Sequence, residues 1–186
     1  PKNVISRANQ PYPPRTTASY EAREYGVESA MGISSALDRL PRRETNQNDP
    51  ETAWYRPVDM DFYESVSEDV RAILEELADT LRIVSIDEAY LDVTDRTAWE
   101  VAEGFGRHVK QRISREVGVP ASVGVAPNMS TAKLASDYDK PDGLVVVQPD
   151  EVREFLAPID IADVHGVGPV RARELRDLGI ETAGDL

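Results

Sequence analysis

The stretch RIVSIDEAYLDVTD, residues 82–95, decides the fold because it predicts two short strands with two acids between them. Apolar and aromatic residues through 83–93 favour strand, yet Asp87 and Glu88 lie side by side in the middle. Burying one unpaired carboxylate is costly, and two adjacent carboxylates repel each other. We therefore expect a hairpin that turns around Asp87 and Glu88, with a positive group close to them.

The segments on either side of this stretch alternate between helical and strand patterns. A helix is predicted over 67–82, a second over 98–116 and a third over 128–139, with strands in VPASVGVAP (119–127) and GLVVVQP (143–149). This order predicts an α+β fold, most simply a small mixed sheet with helices packed on one face. The residues expected on the inner faces of the first two helices are Val70, Ile73, Leu74, Leu77, Leu81, Ala102, Phe105, Val109 and Ile113.

The two ends of the chain have different patterns. PKNVISRANQPYPPR (1–15) contains four prolines and no periodicity, which predicts an irregular tail. Residues 16–40 predict a short helix, a break at Gly26 and a second helix. Residues 160–186 predict two short helices around a glycine turn and the start of another helix.

Composition limits the classes of protein and of site. The chain has 186 residues and no cysteine, so disulfides and thiolate metal sites are excluded. A net charge of −13 argues against nucleic-acid binding by the average surface, and an acid-rich, lysine-poor surface is typical of proteins that fold in high salt and unfold in dilute buffer. No apolar run approaches the roughly 18 residues of a membrane span, so we expect a cytoplasmic protein without a membrane partner.

Three groups of residues are candidates for a metal and phosphate site. Asp87 and Glu88 at a tight turn suit Mg²⁺, although two acids exposed at a hairpin tip would have the same spacing. Tyr20 and Arg23 share a helix face with Thr17 one turn earlier and could hold a polyphosphate. The alternative for that group is a solvated arginine paired with Glu24 or Glu28. Lys140 precedes a Pro-Asp-Gly turn that leads into a strand; such a lysine is usually solvated, and it gains interest only if that strand lies beside the Asp87 turn.

The segment VHGVGPVRARELRDLGI (164–180) is the most specific local pattern. Gly166, Val167 and Gly168 let the backbone approach a ligand closely, and Pro169 is suited to the first turn of a helix. With Arg171 on that helix, the free N–H groups would bind a DNA phosphate without reading a base. An ordinary helical hairpin, whose glycines merely permit packing, is the alternative.

Taken together, these features resemble the Y-family DNA polymerases, the translesion enzymes of the DinB or DNA polymerase IV type. The motifs that carry the resemblance are SYEAREYGV, SIDEAYLDVT, ASVGVAPN, AKLASDYDKPDGL and HGVGPVRARELRDLGI, in the family's order over residues 16–186. The resemblance implies fingers at 16–58, a palm at 59–147 and a partial thumb with a helix-hairpin-helix at 148–186, after the tail at 1–15.

The resemblance also implies an activity and its partners. The activity is template-directed transfer of a nucleotide from dNTP to a primer 3′-hydroxyl on primer–template DNA, with two Mg²⁺ ions and a sliding clamp as a further partner. Asp87 would bridge both ions, and Glu88 would help to hold the ion that activates the primer. The implied triphosphate contacts are Thr17, Tyr20, Arg23 and Lys140, and the implied DNA-phosphate contacts are Gly166, Val167, Gly168 and Arg171.

The sequence departs from the family's pattern at three places. Nothing in residues 1–15 resembles the family's first strand, which carries a further metal-ligand aspartate, so the resemblance implies impaired activity in this chain. The family's C-terminal little-finger domain has no counterpart here. Met129 stands where many relatives have a lysine. Three hypotheses follow: a part of a working polymerase, a catalytically silent relative that binds primer–template DNA or a replication partner, and a truncated gene product without a function of its own.

Overall fold

The structure is a computed structural model that describes residues 4–7, 16–29, 31–44, 49, 51–164 and 166–186. The chain divides into two compact units, Pro1–Phe62 and Tyr63–Leu186, and each is described by itself. The division falls four residues after the predicted end of the fingers at 58, and residues 148–186 lie in the same unit as the predicted palm. Among the described residues, no helix has the length and apolar character needed to cross a membrane.

The first unit contains a three-stranded sheet and two short helices. Strands β1 (Val4–Arg7), β2 (Thr16–Ala18) and β3 (Trp54–Pro57) lie in the order β2-β1-β3, with β1 antiparallel to β2 and parallel to β3. Helices α1 (Tyr20–Glu24) and α2 (Ile33–Arg39) confirm the predicted helix, break and helix. Gly26, at the break, has a φ of +76°, a conformation that favours glycine.

The predicted irregular tail is wrong for Val4–Arg7, which form strand β1. These four residues pair on both sides, with β2 and with β3 nearly fifty residues further on, so their structure comes from partners that local periodicity does not include. The other residues of the predicted tail lie outside the described residues. Among the described residues of the unit, the buried core comprises Ala22, Val27, Ala36, Leu40 and Ala53.

The second unit is built around two long amphipathic helices. Helix α3 (Met60–Leu77) begins at the end of the first unit, and α4 (Ala102–Glu116) follows a short 3₁₀ turn at Trp99–Val101. The predicted start of α3 at residue 67 is wrong because Asp59 accepts a hydrogen bond from the Phe62 N–H at 3.1 Å and caps an earlier start. Its predicted end at 82 is also wrong, because residues 80–83 pair as a strand.

The strands of this unit pair in both directions. Strands β4 (Thr80–Ile83) and β5 (Ala89–Asp92) form an antiparallel hairpin, and β6 (Val123–Val125) lies parallel to β7 (Leu144–Val146), with α5 (Met129–Tyr138) between them in the chain. The α+β class is confirmed. Within the described residues the hydrogen bonds form two separate two-stranded ladders, since no described strand pairs with both.

The core of the second unit confirms the predicted inner faces of α3 and α4. Ile73, Leu74, Val109 and Ile113 are buried together. Side chains packed against them include Val70, Leu77, Leu81, Phe105 and Val123. Alternation at helical spacing therefore identified which faces of α3 and α4 are buried, even where it misplaced the ends of α3.

The C-terminal part contains helices α6 (Val152–Leu156) and α7 (Pro169–Asp177) and a 3₁₀ turn at Ala183–Asp185. The predicted short helix before the glycines is wrong, since residues 161–164 form turns. The Ile161 N–H donates to the Glu181 carbonyl at 2.9 Å, and the Asp160 carboxylate accepts the Ala162 N–H at 2.8 Å. These bonds tie the backbone to the end of the chain and to a side chain in place of helical partners.

Candidate functional site

The acid pair lies in the loop between β4 and β5, as the sequence predicts. The N–H groups of Val84 and Ser85 both donate to the Glu88 carbonyl, at 3.0 and 3.1 Å, and close the loop. Asp87 is exposed and Glu88 is half-buried. The hairpin therefore brings two adjacent carboxylates to one end of a short antiparallel ladder.

Two serines position this loop. The buried Ser67 of α3 donates its hydroxyl to the Ile86 carbonyl at 2.5 Å, which ties the loop to the helix one residue before Asp87. Ser85 donates its hydroxyl to Asp87 Oδ1 at 2.6 Å. These contacts restrict both the backbone and one side chain of the pair, and the sequence reasoning did not identify either serine.

The expected positive group next to the pair is present, and it is Lys133 of α5. Its Nζ lies 2.7 Å from Glu88 Oε2 and 3.4 Å from Asp137 Oδ2. Burial acts to lower the pKa of Lys133, but the hydrogen bond to Glu88 and the charge of Asp137 outweigh it, so the pKa lies above its ordinary value of 10.5. Sequence reasoning missed Lys133 because 45 residues separate it from Glu88.

Lys140 joins the same group of charges through Asp137. The Lys140 Nζ lies 2.6 Å from Asp137 Oδ1, while Lys133 occupies the other oxygen of that carboxylate. Burial acts to raise the pKa of Asp137, yet the hydrogen bond from Lys140 and the charge of Lys133 bring it below its ordinary value of 3.8. Lys140 is thereby connected to Glu88 through Asp137 and Lys133. Among the described residues, β7, the strand that follows Lys140, pairs with β6 and not with the β4–β5 hairpin, so its expected place beside the Asp87 turn stays a prediction.

The chemistry of Asp87 and Glu88 fits a hard divalent cation. Both residues offer carboxylate oxygens, the ligands that Mg²⁺ prefers. Within the described residues Ser85 engages one oxygen of Asp87 and Lys133 one oxygen of Glu88, which leaves each carboxylate a second oxygen for a cation. The described part of the chain contains no group of three or more metal-ligating acids, histidines or cysteines.

In the first unit, Tyr20 and Arg23 lie in α1 as predicted, but the predicted place of Thr17 one helical turn earlier is wrong, because Thr17 belongs to strand β2 and α1 begins after it. Ser19 caps α1 by accepting the Ala22 N–H at 3.3 Å, and the Tyr20 ring is 52% exposed. The Arg23 guanidinium lies 5.3 Å from the centre of that ring.

Arg23 is held by uncharged groups. It donates to the Ala18 carbonyl at 3.2 Å and to the Ser29 hydroxyl at 3.1 Å. Because neither partner carries a charge, these bonds orient the guanidinium without neutralising it, and an anion can use its positive charge.

The glycine turn has the predicted form at the start of α7. Gly166 has a φ of +87°, Gly168 is the N-cap residue, and Pro169 occupies the first turn. Arg171 donates to the Gly166 carbonyl at 3.1 Å, so it folds back over the turn. Arg176, further along α7, pairs with Asp160 at 2.6 Å and so binds the segment that precedes the turn.

Comparison of the sequence with protein families gives two matches in chain order. Residues 8–137 match the impB/mucB/samB family, and residues 149–180 match the helix-hairpin-helix motif of the same family. A relative described as DNA polymerase IV, from Halobacterium salinarum, is 71% identical over 170 residues. The match covers 91% of this chain and 41% of the relative, so the chain spans less than half of that protein's length.

Solved structures show the same fold. DinB from Sulfolobus solfataricus superposes with a TM-score of 0.85 at 36% identity, over 97% of this chain and 51% of that chain. An insertion ternary complex of Dbh DNA polymerase also gives a TM-score of 0.85, at 35% identity, over 97% of this chain and 52% of that chain. The likeness therefore extends over nearly the whole chain and about half of each solved structure.

Proposed function

The chain belongs to the impB/mucB/samB family, and on this premise we propose that it forms part of a DNA-directed DNA polymerase of the translesion type. The family membership confirms the resemblance to Y-family polymerases of the DinB type. The proposed reaction transfers a nucleotide from dNTP to the 3′-hydroxyl of a primer on template DNA, with release of pyrophosphate. The enzyme would be a nucleotidyltransferase that reads primer–template DNA.

The acid pair in the β4–β5 loop is the observation that carries this proposal. Asp87 and Glu88 lie where Ser67 and Ser85 restrict the loop, and Lys133 prevents the two carboxylates from being an isolated negative cluster. Phosphoryl transfer requires cations and carboxylates to be in place before charge develops on the phosphates. This loop supplies the carboxylates on a backbone that the ladder and α3 hold.

Asp87 and Glu88 would hold the divalent cation, for which we propose Mg²⁺ because both ligands are hard oxygen donors. When bound, such an ion stabilises negative charge on the reacting phosphates and lowers the pKa of a primer hydroxyl. Lys133 would continue to orient Glu88 through one carboxylate oxygen. Ser85 would do the same for Asp87, so that the remaining oxygens face the cation.

We propose that each unit also binds phosphate groups. In the first unit, assigned as fingers, Thr17, Tyr20 and Arg23 would bind the triphosphate of dNTP; both hydrogen-bond acceptors of Arg23 within the described residues are uncharged. In the second unit, assigned as palm and partial thumb, Lys140 would bind oxygens of a triphosphate. The backbone N–H groups of Gly166 and Gly168, with Arg171, would bind a phosphate of the DNA backbone. The N–H of Val167 already donates to the Val164 carbonyl at 2.9 Å, so it is not available to a phosphate.

Single-nucleotide primer extension tests this function. We expect the chain to add one nucleotide to a primer in the presence of Mg²⁺, and Asp87→Asn to reduce the rate by roughly 10²-fold or more. Asp95→Asn is the matched control because it removes the same charge from an exposed position eight residues further on. DNA binding without incorporation by the wild-type chain would contradict the polymerase and favour a DNA-binding relative. Equal rates for the two variants would remove Asp87 from the site.

A further inference from the structure

Four side chains of alternating charge form a continuous row of ion pairs on the second unit. They are Glu88, Lys133, Asp137 and Lys140. Its contacts measure 2.7 Å from Glu88 to Lys133, 3.4 Å from Lys133 to Asp137 and 2.6 Å from Asp137 to Lys140. The row connects Glu88, which we propose binds the metal ion, to Lys140, which we propose binds the triphosphate. Its third member, Asp137, has no role in the function proposed above.

Asp137 differs from the other members because it holds two cations at once. Its Oδ1 contacts the Lys140 ammonium group, and its Oδ2 contacts that of Lys133. A carboxylate has two oxygens and can accept from two ammonium groups without competition between them. Without the carboxylate, two neighbouring ammonium groups repel each other, and each side chain regains its freedom to leave the site.

The backbone on both sides of Asp137 is held firmly. Asn128 caps α5 by accepting the Thr131 N–H at 2.9 Å. The turn after Lys140 is held from α4 and from the residue before β6, since Lys110 pairs with Asp142 at 3.1 Å and the Gly143 N–H donates to the Ser122 hydroxyl at 3.2 Å. The Lys140 side chain, by contrast, is 46% exposed and has four rotatable bonds.

We propose that Asp137 is a positioning residue that holds the Lys140 ammonium group in place to receive the triphosphate. It acts by fixing a flexible lysine before the ligand arrives, so that less side-chain freedom is lost on binding. Asp137 does not contact the triphosphate itself. The inference rests on the proposed role of Lys140 as a phosphate ligand and adds the residue that makes this lysine ready to bind.

The sign of the effect distinguishes positioning from simple electrostatics. Asp137→Asn makes the site more positive by one charge, and a purely electrostatic role predicts tighter binding of a polyanion. Positioning predicts the opposite, because the freed lysine must be ordered again at each binding event. We expect the dissociation constant for the anion to rise by about three- to tenfold, the cost of immobilising one long side chain.

The test uses the full chain and inorganic tripolyphosphate as the probe, with binding measured by titration calorimetry without divalent metal. Asp139→Asn is the matched control. Asp139 is exposed, lies two residues after Asp137 and loses the same charge on substitution. We expect Asp137→Asn to bind three- to tenfold more weakly and Asp139→Asn to bind as the wild type does. Unchanged or tighter binding by Asp137→Asn would overturn the proposal.

Two further variants separate this inference from the function it rests on. Lys140→Ala should weaken binding, and Asp137→Asn should weaken it no further in that background, because the two residues act as one unit. If Lys140→Ala binds normally, the phosphate role of Lys140 and the positioning role both fail. If Lys140→Ala binds weakly but Asp137→Asn does not, only the positioning role fails.

Asp137→Glu retains the carboxylate, so we expect it to bind within about twofold of the wild type. A loss as large as that of Asp137→Asn would overturn the proposal, and this variant decides the question if Asp137→Asn does not fold. In primer extension, Asp137→Asn should raise KM for dNTP and leave kcat nearly unchanged. If Asp137→Asn weakens tripolyphosphate binding but the wild-type chain extends no primer, the positioning role stands and the proposed polymerase function fails.

Discussion

Replacing Gly124 with alanine should damage both stability and activity, because this glycine allows α5 to lie directly on β6. A Cβ atom at Gly124 would lie 2.2 Å from the Ala132 carbonyl oxygen and 2.4 Å from the Ser136 nitrogen. Ordinary van der Waals contact begins at 3.4 Å, so the helix must move away by about 1.2 Å, the difference between 3.4 and 2.2 Å. Since the obstacles are backbone atoms, no side-chain rotation can relieve them.

The expected cost is about 1–3 kcal/mol, the usual range for adding a methyl group to a tightly packed interior. At 1.4 kcal/mol for each factor of ten, the folding equilibrium constant falls by about five- to 150-fold. Helix α5 carries Lys133, so the 2.7 Å contact with Glu88 should lengthen along with the shift of the helix. A displacement of about 1 Å near reacting groups commonly lowers the rate by up to about 10²-fold.

Urea denaturation followed by circular dichroism measures the stability, with two glycines of α4 as matched controls. Gly104 has no atom within 4 Å of a built Cβ, so Gly104→Ala should stabilise the chain by up to about 1 kcal/mol. A Cβ atom at Gly106 would lie 2.7 Å from the tip of the Leu144 side chain, which can turn away. The change in stability caused by Gly106→Ala should therefore lie between those caused by the other two substitutions. A Gly124→Ala variant that unfolds at the wild-type urea concentration would refute the reasoning.

Two further predictions concern the stability of the second unit. Ile113→Ala removes a side chain that is 3% exposed between α3 and α4 and should cost about 2–5 kcal/mol in urea denaturation; a loss below about 1 kcal/mol would contradict the assigned core. Hydrogen bonds from Arg112 and then Arg115 lower the pKa of Glu116 to about 2, so its ionised form stabilises the folded chain. That contribution is complete above the ordinary pKa of 4.5 and is lost as the pH falls towards 2, so the stability difference between wild type and Glu116→Gln should shrink over this range. A difference that stays constant would show that the ion pair contributes nothing.

Local patterns predicted those parts of the fold that local physics determines. The apolar residues of α3 and α4 recur at 3.6-residue spacing, and the structure buries the same residues in one core. The hairpin around Asp87 and Glu88 followed from two apolar runs separated by acids. The ends of α3 were less predictable, because a cap at Asp59 and the pairing of residues 80–83 with β5 decide them.

Strand β1 is a part of the fold that local patterns do not predict. The residues Val4–Arg7 have no periodicity of their own and lie among residues that predict irregular structure. They are a strand because β2 lies on one side and β3 on the other, and β3 comes nearly fifty residues later. A strand of four residues gains its stability from its neighbours, so its own sequence contains little information about it.

Local sequence and tertiary packing both determine which cation lies beside the acid pair. Two adjacent carboxylates repel each other, so the sequence alone predicts a positive group near Glu88. The identity of the cation depends on which residues of α5 face the β4–β5 loop, and that face is set by the close approach of the helix to Gly124. Lys133 meets Glu88 because a glycine in β6 lets the helix come near enough. A methyl group at Gly124 should therefore weaken the Lys133–Glu88 contact without altering either residue.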